Sequence, residues 1–220
     1  MNHKKWVVAL ALIATALILT HLPVSEADAA ASASDFLIEG STLTKYRGTD
    51  ERVTIPDTVE VVGESAFENN QKVQLVVVPK SVKRMDAYVF WGCDNLEEVV
   101  LGKGLTSVDE YAFSGCTGLK QITIPENVQS IDAQAFAGCT NLTDIYIPDT
   151  VTSIADDAFL NCDNVTIHAD EGSVAEKFAQ KLAEQKSQSP LVTAARIHRQ
   201  QQSLPPLKRR PLHRHRCPEM

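Results

Sequence analysis

Between residues 53 and 168 the apolar positions of the chain recur every 23 residues. Phe stands at Phe67, Phe90, Phe113, Phe136 and Phe159, preceded by Ala66, Val89, Ala112, Ala135 and Ala158. Three residues after each Phe come Asn70, Cys93, Cys116, Cys139 and Cys162. Three more apolar columns keep the same beat: Val59, Val82, Leu105, Val128, Val151; Val62, Met85, Val108, Ile131, Ile154; and Val73, Leu96, Leu119, Leu142, Val165. A fixed period of this length marks a solenoid or array, in which one supersecondary unit is repeated and stacked.

The spacing within one period predicts its elements. After the Cys and a short turn comes Leu-x-x-Ile-x-Ile, as at Leu119, Ile122 and Ile124 or Leu142, Ile145 and Ile147. The alternation at its end predicts a short strand with one face buried. Pro56, Pro79, Pro125 and Pro148 stop that strand, with Gly102 on the missing beat, because Pro lacks the N–H a sheet ladder needs. The following Val-x-x-Ile-x-x-x-Ala-Phe leaves too little chain for a long helix and suits an extended or 3-10-like back wall. One such unit cannot enclose a core, whereas stacked units bury a continuous one. Their strands would form a parallel sheet with a spacing of roughly 4.8 Å.

The strand pattern and period are those of leucine-rich repeats. The Ala-Phe-x-x-Cys element, the 23-residue spacing and the Ile-Pro after the strand resemble the BspA-like leucine-rich repeat family of secreted bacterial surface proteins. The resemblance runs from about Phe36 to Lys181. It includes the lead-in "FLIEGSTLTKYRG" and the closing "EGSVAEKFAQK". It implies a solenoid with a short parallel sheet on one face, an irregular or 3-10 back wall and a helical C-terminal cap. For function it implies adhesins and binding proteins with diverse ligands.

The repeat decides how the cysteines are read. Metal sites bring paired Cys ligands to one point, and a column with one Cys per rung does not converge. A nucleophilic Cys needs a His beside it in space, and His168 is the single His between Ala30 and Gln180. The column is therefore expected to be small buried filling, with poor geometry for disulfides between rungs. The Phe column is expected to be a stacked core spine. Asn95, Gly118, Asn141 and Asn164, two residues after each Cys, are of types that tolerate left-handed backbone and read as turn residues.

The ends differ from the middle. "MNHKKWVVALALIATALILT" has Lys4 and Lys5 before an apolar run, and Ala27-x-Ala29 follows. This reads as a signal peptide over 1–29, too short in its apolar stretch for a spanning helix. The expected order is then an N-terminal cap at 30–52, five repeats at 53–168, a cap helix at 169–183 and a tail at 184–220. Ser173 to Glu176 fits a capping box, and Val174, Phe178 and Leu182 would share the inward helix face. Between Ala31 and Gln180 there are 10 basic and 24 acidic residues; between Lys181 and Met220 there are 9 and 2. The Pro-rich basic tail cannot bury enough surface to fold. It could hold the protein to an anionic wall polymer or membrane surface, and its Cys217 is expected to be exposed.

The sequence carries no G-x-S-x-G, P-loop, H-E-x-x-H or Cys-His constellation, so neither catalysis nor a metal or cofactor is expected, nor a nucleic-acid partner. Asp109, Glu110, Asp156 and Asp157 lie between apolar beats and read as a solvated outer face. The expected working surface is the outward side of the sheet, the usual contact surface of leucine-rich repeats. Its columns are Arg52, Leu75, Glu98, Gln121, Asp144 and Thr54, Val77, Val100, Thr123, Tyr146. Leu75, Val77 and Val100 would form an apolar patch edged by charge, which suits a protein partner on a host or bacterial surface.

Overall fold

In the computed structural model, residues 31–188 are described. The segment expected to be a signal peptide, nearly all of the expected tail and Cys217 lie outside them. A 3-10 turn at Ala33–Asp35 leads into a hairpin of β1 (Phe36–Glu39) and β2 (Thr42–Tyr46), which pair antiparallel. Every later pairing is parallel.

Two ladders run along the solenoid. The face ladder holds β3 (Arg52–Thr54), β5 (Leu75–Val77), β7 (Glu98–Val100), β9 (Gln121–Thr123), β11 (Asp144–Ile147) and β13 (Thr166–Ala169). Of the forms expected for the back wall, it takes the extended one. Its strands β4 (Val61–Val62), β6 (Arg84–Met85), β8 (Ser107–Val108), β10 (Ser130–Ile131) and β12 (Ser153–Ile154) are two residues each. Turns complete each rung. Partners are one period apart, as in Leu75↔Glu98 and Ile131↔Ile154, so equivalent repeat positions meet. The last rung drops one residue, and Tyr146 still pairs with His168.

Both ladders are interrupted around one rung. The face sheet divides between β7 and β9, and the back sheet between β6 and β8. The rung concerned carries Gly102 and Gly104 where the others have Pro and a polar residue. A Cβ at Gly102 would run into the Pro79 carbonyl, and one at Gly104 into the carbonyls of Lys80 and Val82. This corner therefore sits closer on its neighbour than a side chain permits.

The interior is a stack of like on like. Phe67, Phe90, Phe113, Phe136 and Phe159 are fully buried, with successive centroids 5.0 to 5.3 Å apart. The spine is longer than the repeat predicts. Tyr46 stacks on Phe67 at 5.0 Å and Phe36 on Tyr46 at 5.1 Å, while Phe178 closes the far end at 5.8 Å from Phe159. The Tyr46 hydroxyl donates to Asp50 at 2.9 Å; burial, and then that bond, raise its phenol above the usual range.

Asn95, Gly118, Asn141 and Asn164 stand in turns as expected, but the left-handed backbone lies beside them. Left-handed backbone falls at Ser65, Tyr88, Tyr111 and Gln134, and again at Asn69, Gly92, Gly115, Gly138 and Asn161. It does not fall at Asn95, Gly118, Asn141 or Asn164. Asn95 and Asn141 work instead through their side chains, each donating at 2.8 Å to a carbonyl one rung back, Gln71 O and Thr117 O. Gly118 is small because a Cβ would meet Asp94 O at 2.6 Å.

The cap helix α1 runs Val174–Gln188, past the residue 183 boundary expected from sequence. Ser173 Oγ accepts from Glu176 N at 3.0 Å, and Glu176 reaches back to the Gly172 N–H at 2.7 Å, so two orphan donors at the helix start are satisfied. The inward face is Ala175, Phe178 and Leu182. Val174 is 37% exposed, because the cap turns the first helical position outward. Near the helix end Lys186 donates to the last rung's Cys162 O and Asp163 O, both at 3.0 Å.

Candidate functional site

The thiol column is the first chemistry to place. Cys93, Cys116, Cys139 and Cys162 are all free and buried. Each S–H donates to the carbonyl of the Phe one rung back: Phe67, Phe90, Phe113 and Phe136, at 2.9 to 3.1 Å. The column thus fills space and also satisfies a buried carbonyl. Asn70 heads it differently, its Oδ1 accepting from the N–H groups of Lys72 and Val73.

Burial pushes the Cys93 thiol up to about 12 and raises Cys116 well above the ordinary value. For Cys139 the neighbouring Cys162 thiol comes first and burial second, again raising it. The thiolate is the reactive form of cysteine, and a dry interior opposes it. Among the described residues no group of three or more His, Cys, Asp or Glu is placed to hold a metal ion.

The sheet face follows the alternation read from the sequence. In β3, β5, β7 and β9 a buried central residue lies between two outward ones. Parallel pairing sets Arg52, Leu75 and Glu98 in one row, Gln121 and Asp144 in its continuation, and Thr54, Val77, Val100 and then Thr123, Tyr146 beside them. Leu75, Val77 and Val100 are half-buried, because rungs one spacing apart shield each other's side chains. The apolar patch is correspondingly modest. Glu98 is also half-buried, and its Oε1 is covered without a hydrogen-bond partner.

One constellation on this face is absent from the repeat pattern. The Tyr146 and His168 rings stack at 4.4 Å and 11°. His168 Nε2 lies 2.8 Å from Asp144 Oδ1, and the Thr143 hydroxyl donates to Asp144 Oδ2 at 2.8 Å. The His168 contact first, then Thr143, hold the Asp144 carboxyl below its ordinary value. The last unit, Val165-Thr-Ile167-His168, drops a residue relative to Leu142-Thr-Asp-Ile145-Tyr146, which places His168 on a terminal strand, and the parallel register sets it on Tyr146.

Of the carboxylates expected on a solvated face, Glu110 and Asp156 are exposed, and Asp109 and Asp157 are half-buried. Burial raises the Asp109 carboxyl, Ser107 opposes this with a 2.6 Å hydrogen bond, and the like charges of Asp132 and Asp86 add to the rise.

The architecture defines a class, the leucine-rich repeat solenoid, and the comparisons narrow it. Six copies of the BspA type leucine-rich repeat region match residues 45–166, more than half of the chain. The protein belongs to that family. Among solved structures it is similar to a leucine-rich cell surface protein of Faecalibacterium prausnitzii at 33% identity and TM-score 0.59, covering 63% of this chain and 37% of that one. A leucine-rich repeat protein of T. pallidum aligns at 26% identity and TM-score 0.60, covering 63% and 70% of the two chains. One from Bacteroides ovatus aligns at 28% and 0.53, covering 62% and 41%. The chain thus spans little over a third of the length of the Faecalibacterium protein. No curated protein matches.

Proposed function

We propose that the chain is a secreted or cell-surface binding protein that contacts a protein partner through the outward face of its sheet, as an adhesin does. The observation that carries this reading is the contrast between the two sides of the same strands. Inward positions repeat one residue type, while outward positions change from rung to rung through Arg52, Leu75, Glu98, Gln121 and Asp144. Varied side chains on a rigid curved sheet are how solenoids form extended binding surfaces. The Faecalibacterium relative is described as a cell surface protein, and the sequence-level signal peptide agrees with export. The reading assigns no reaction to the chain.

Replacing Leu75, Val100 and Tyr146 together by Ser tests it. Capture of proteins from host or bacterial surface extracts should fall by at least about tenfold, the scale of an interface centre, with the thermal melt little changed. Undiminished capture by a folded triple variant would remove this face from the function.

The charge split favours a second reading. The repeat region is acidic and the segment from Lys181 onward basic, which suits a structural envelope component held through its tail to an anionic wall polymer or membrane surface. That association should be salt-sensitive and should vanish when the chain is cut after Gln188, whereas sheet-face binding should survive the cut.

A further inference from the structure

The corner after each face strand carries one residue per rung: Asp57, Lys80, Lys103, Glu126 and Asp149. Two adjacent rungs thus place a lysine above a lysine, about 4.8 Å apart along the ladder direction. Like charges in neighbouring positions oppose folding. They stand out further in a repeat region with more than twice as many acidic as basic residues.

An open recess of about 530 Å³ lies at this corner, lined by Asp57, Lys80, Ser81, Lys83, Lys103 and Gly104. Among the described residues, none of the three lysine ammonium groups has a hydrogen-bond or ion-pair partner. Lys45, Lys120, Lys181 and Lys186 are engaged, with Ser65 O, Glu97, Asp156 and the last-rung carbonyls respectively, while Lys72 and Lys177 share the unpaired state but stand apart from one another. Ser81 Oγ is covered and has no partner within the protein.

The recess is built by the irregular rung. Gly102 and Gly104 let the Lys103 corner close on the backbone of Pro79 and Lys80. Both ladders are interrupted beside it. At the corresponding place the next rung carries Glu126 and Asn127, and the Asn127 side chain donates across to Lys103 O at 2.6 Å.

We propose that this recess binds a phosphate-class dianion, held by the ammonium groups of Lys80, Lys83 and Lys103. The lining carries three ammonium groups and one carboxylate, Asp57, a charge that a dianion neutralises. Lysine binds phosphate as a point charge on a flexible stem, so three stems can converge without a preformed fork. The site is separate from the sheet face and from the basic tail.

The test is a titration of the full-length, ¹⁵N-labelled protein with inorganic phosphate, against chloride at matched ionic strength, followed by amide NMR. Saturable shifts at Ser81, Lys83 and Gly104 are expected. The variant Lys80→Gln/Lys83→Gln/Lys103→Gln, checked by its melt to be folded, should bind about fivefold more weakly for each lysine lost. Tail amides should respond alike in both proteins, since the tail is untouched. A parallel titration with a sugar monophosphate separates the sources of the group. Equal shifts mean that an esterified phosphate on a larger molecule is accepted, and shifts with inorganic phosphate alone mean a free-ion site. Shifts confined to the tail, or unchanged in the triple variant, would overturn the proposal.

Discussion

The Phe column and the outward strand columns are set by the same 23-residue period, yet one is nearly invariant and the other is not. An inward side chain touches its own copy above and below, so a change in one rung leaves a misfit in two. Close-packed interiors respond to the loss of even a methylene. An outward side chain meets water on one side and is free to differ. Periodicity therefore identifies what the fold requires, and departures from it mark what the fold does not.

The largest effect should come from breaking the inner column. Phe113→Ala removes a ring stacked on both faces by Phe90 and Phe136. It should cost about 3–5 kcal/mol in a urea melt. Gln121→Ala, on the exposed face of the next rung, should stay within about 0.5 kcal/mol. Equal costs for the two would erase the distinction between the columns.

The irregular corner sharpens the comparison, because there the departure lies in the backbone. Gly104→Ala puts a Cβ against the carbonyls of Lys80 and Val82 and should cost about 1–3 kcal/mol. Asn127 fills the same column one rung on with a full side chain. A neutral Gly104→Ala would mean that this corner is no tighter than the others.

A smaller effect is expected at Asp109, whose folded-state carboxyl is raised. A raised acid stabilises the fold in its protonated form. That contribution is present below the unfolded value of 3.8 and is lost as pH rises through the folded value. Asp109→Asn should therefore raise Tm by about 1–3 °C at pH 7, and the gap should close toward pH 4. A variant less stable at pH 7 would show that the Ser107 hydrogen bond outweighs burial and the neighbouring charges.

Much of this fold was legible because repetition reports burial directly. The strand register, the buried Cys column and the Phe spine all follow from the 23-residue beat. What lay outside the beat was hidden. Phe36 and Tyr46 extend the spine from the opening hairpin, off the Phe column, and Phe178, expected inward from the helix period, proves to meet that spine. Val174 fell on the expected helix face, and only the geometry at Ser173 turns it outward. Asn95 and Asn141 carry the right residue type for a left-handed turn. Their value proved to be a side-chain amide that reaches the rung behind. The half-burial of Leu75, Val77 and Val100 depends on the close spacing of neighbouring rungs, and the Asp144–His168–Tyr146 cluster on a register that a shortened rung obscured. Lys80 and Lys103 stand on one beat, but the recess between them depends on the close approach at Gly102 and Gly104, which no column reports.

Repeated groups as hidden filling can be tested most directly by timed alkylation of the native, full-length protein, read peptide by peptide by mass spectrometry. Cys93, Cys116, Cys139 and Cys162 should remain unmodified until denaturant unfolds the solenoid, and should then all react together. Rapid modification of Cys116 or Cys139 in the folded protein would contradict the buried column and the stacked core built around it.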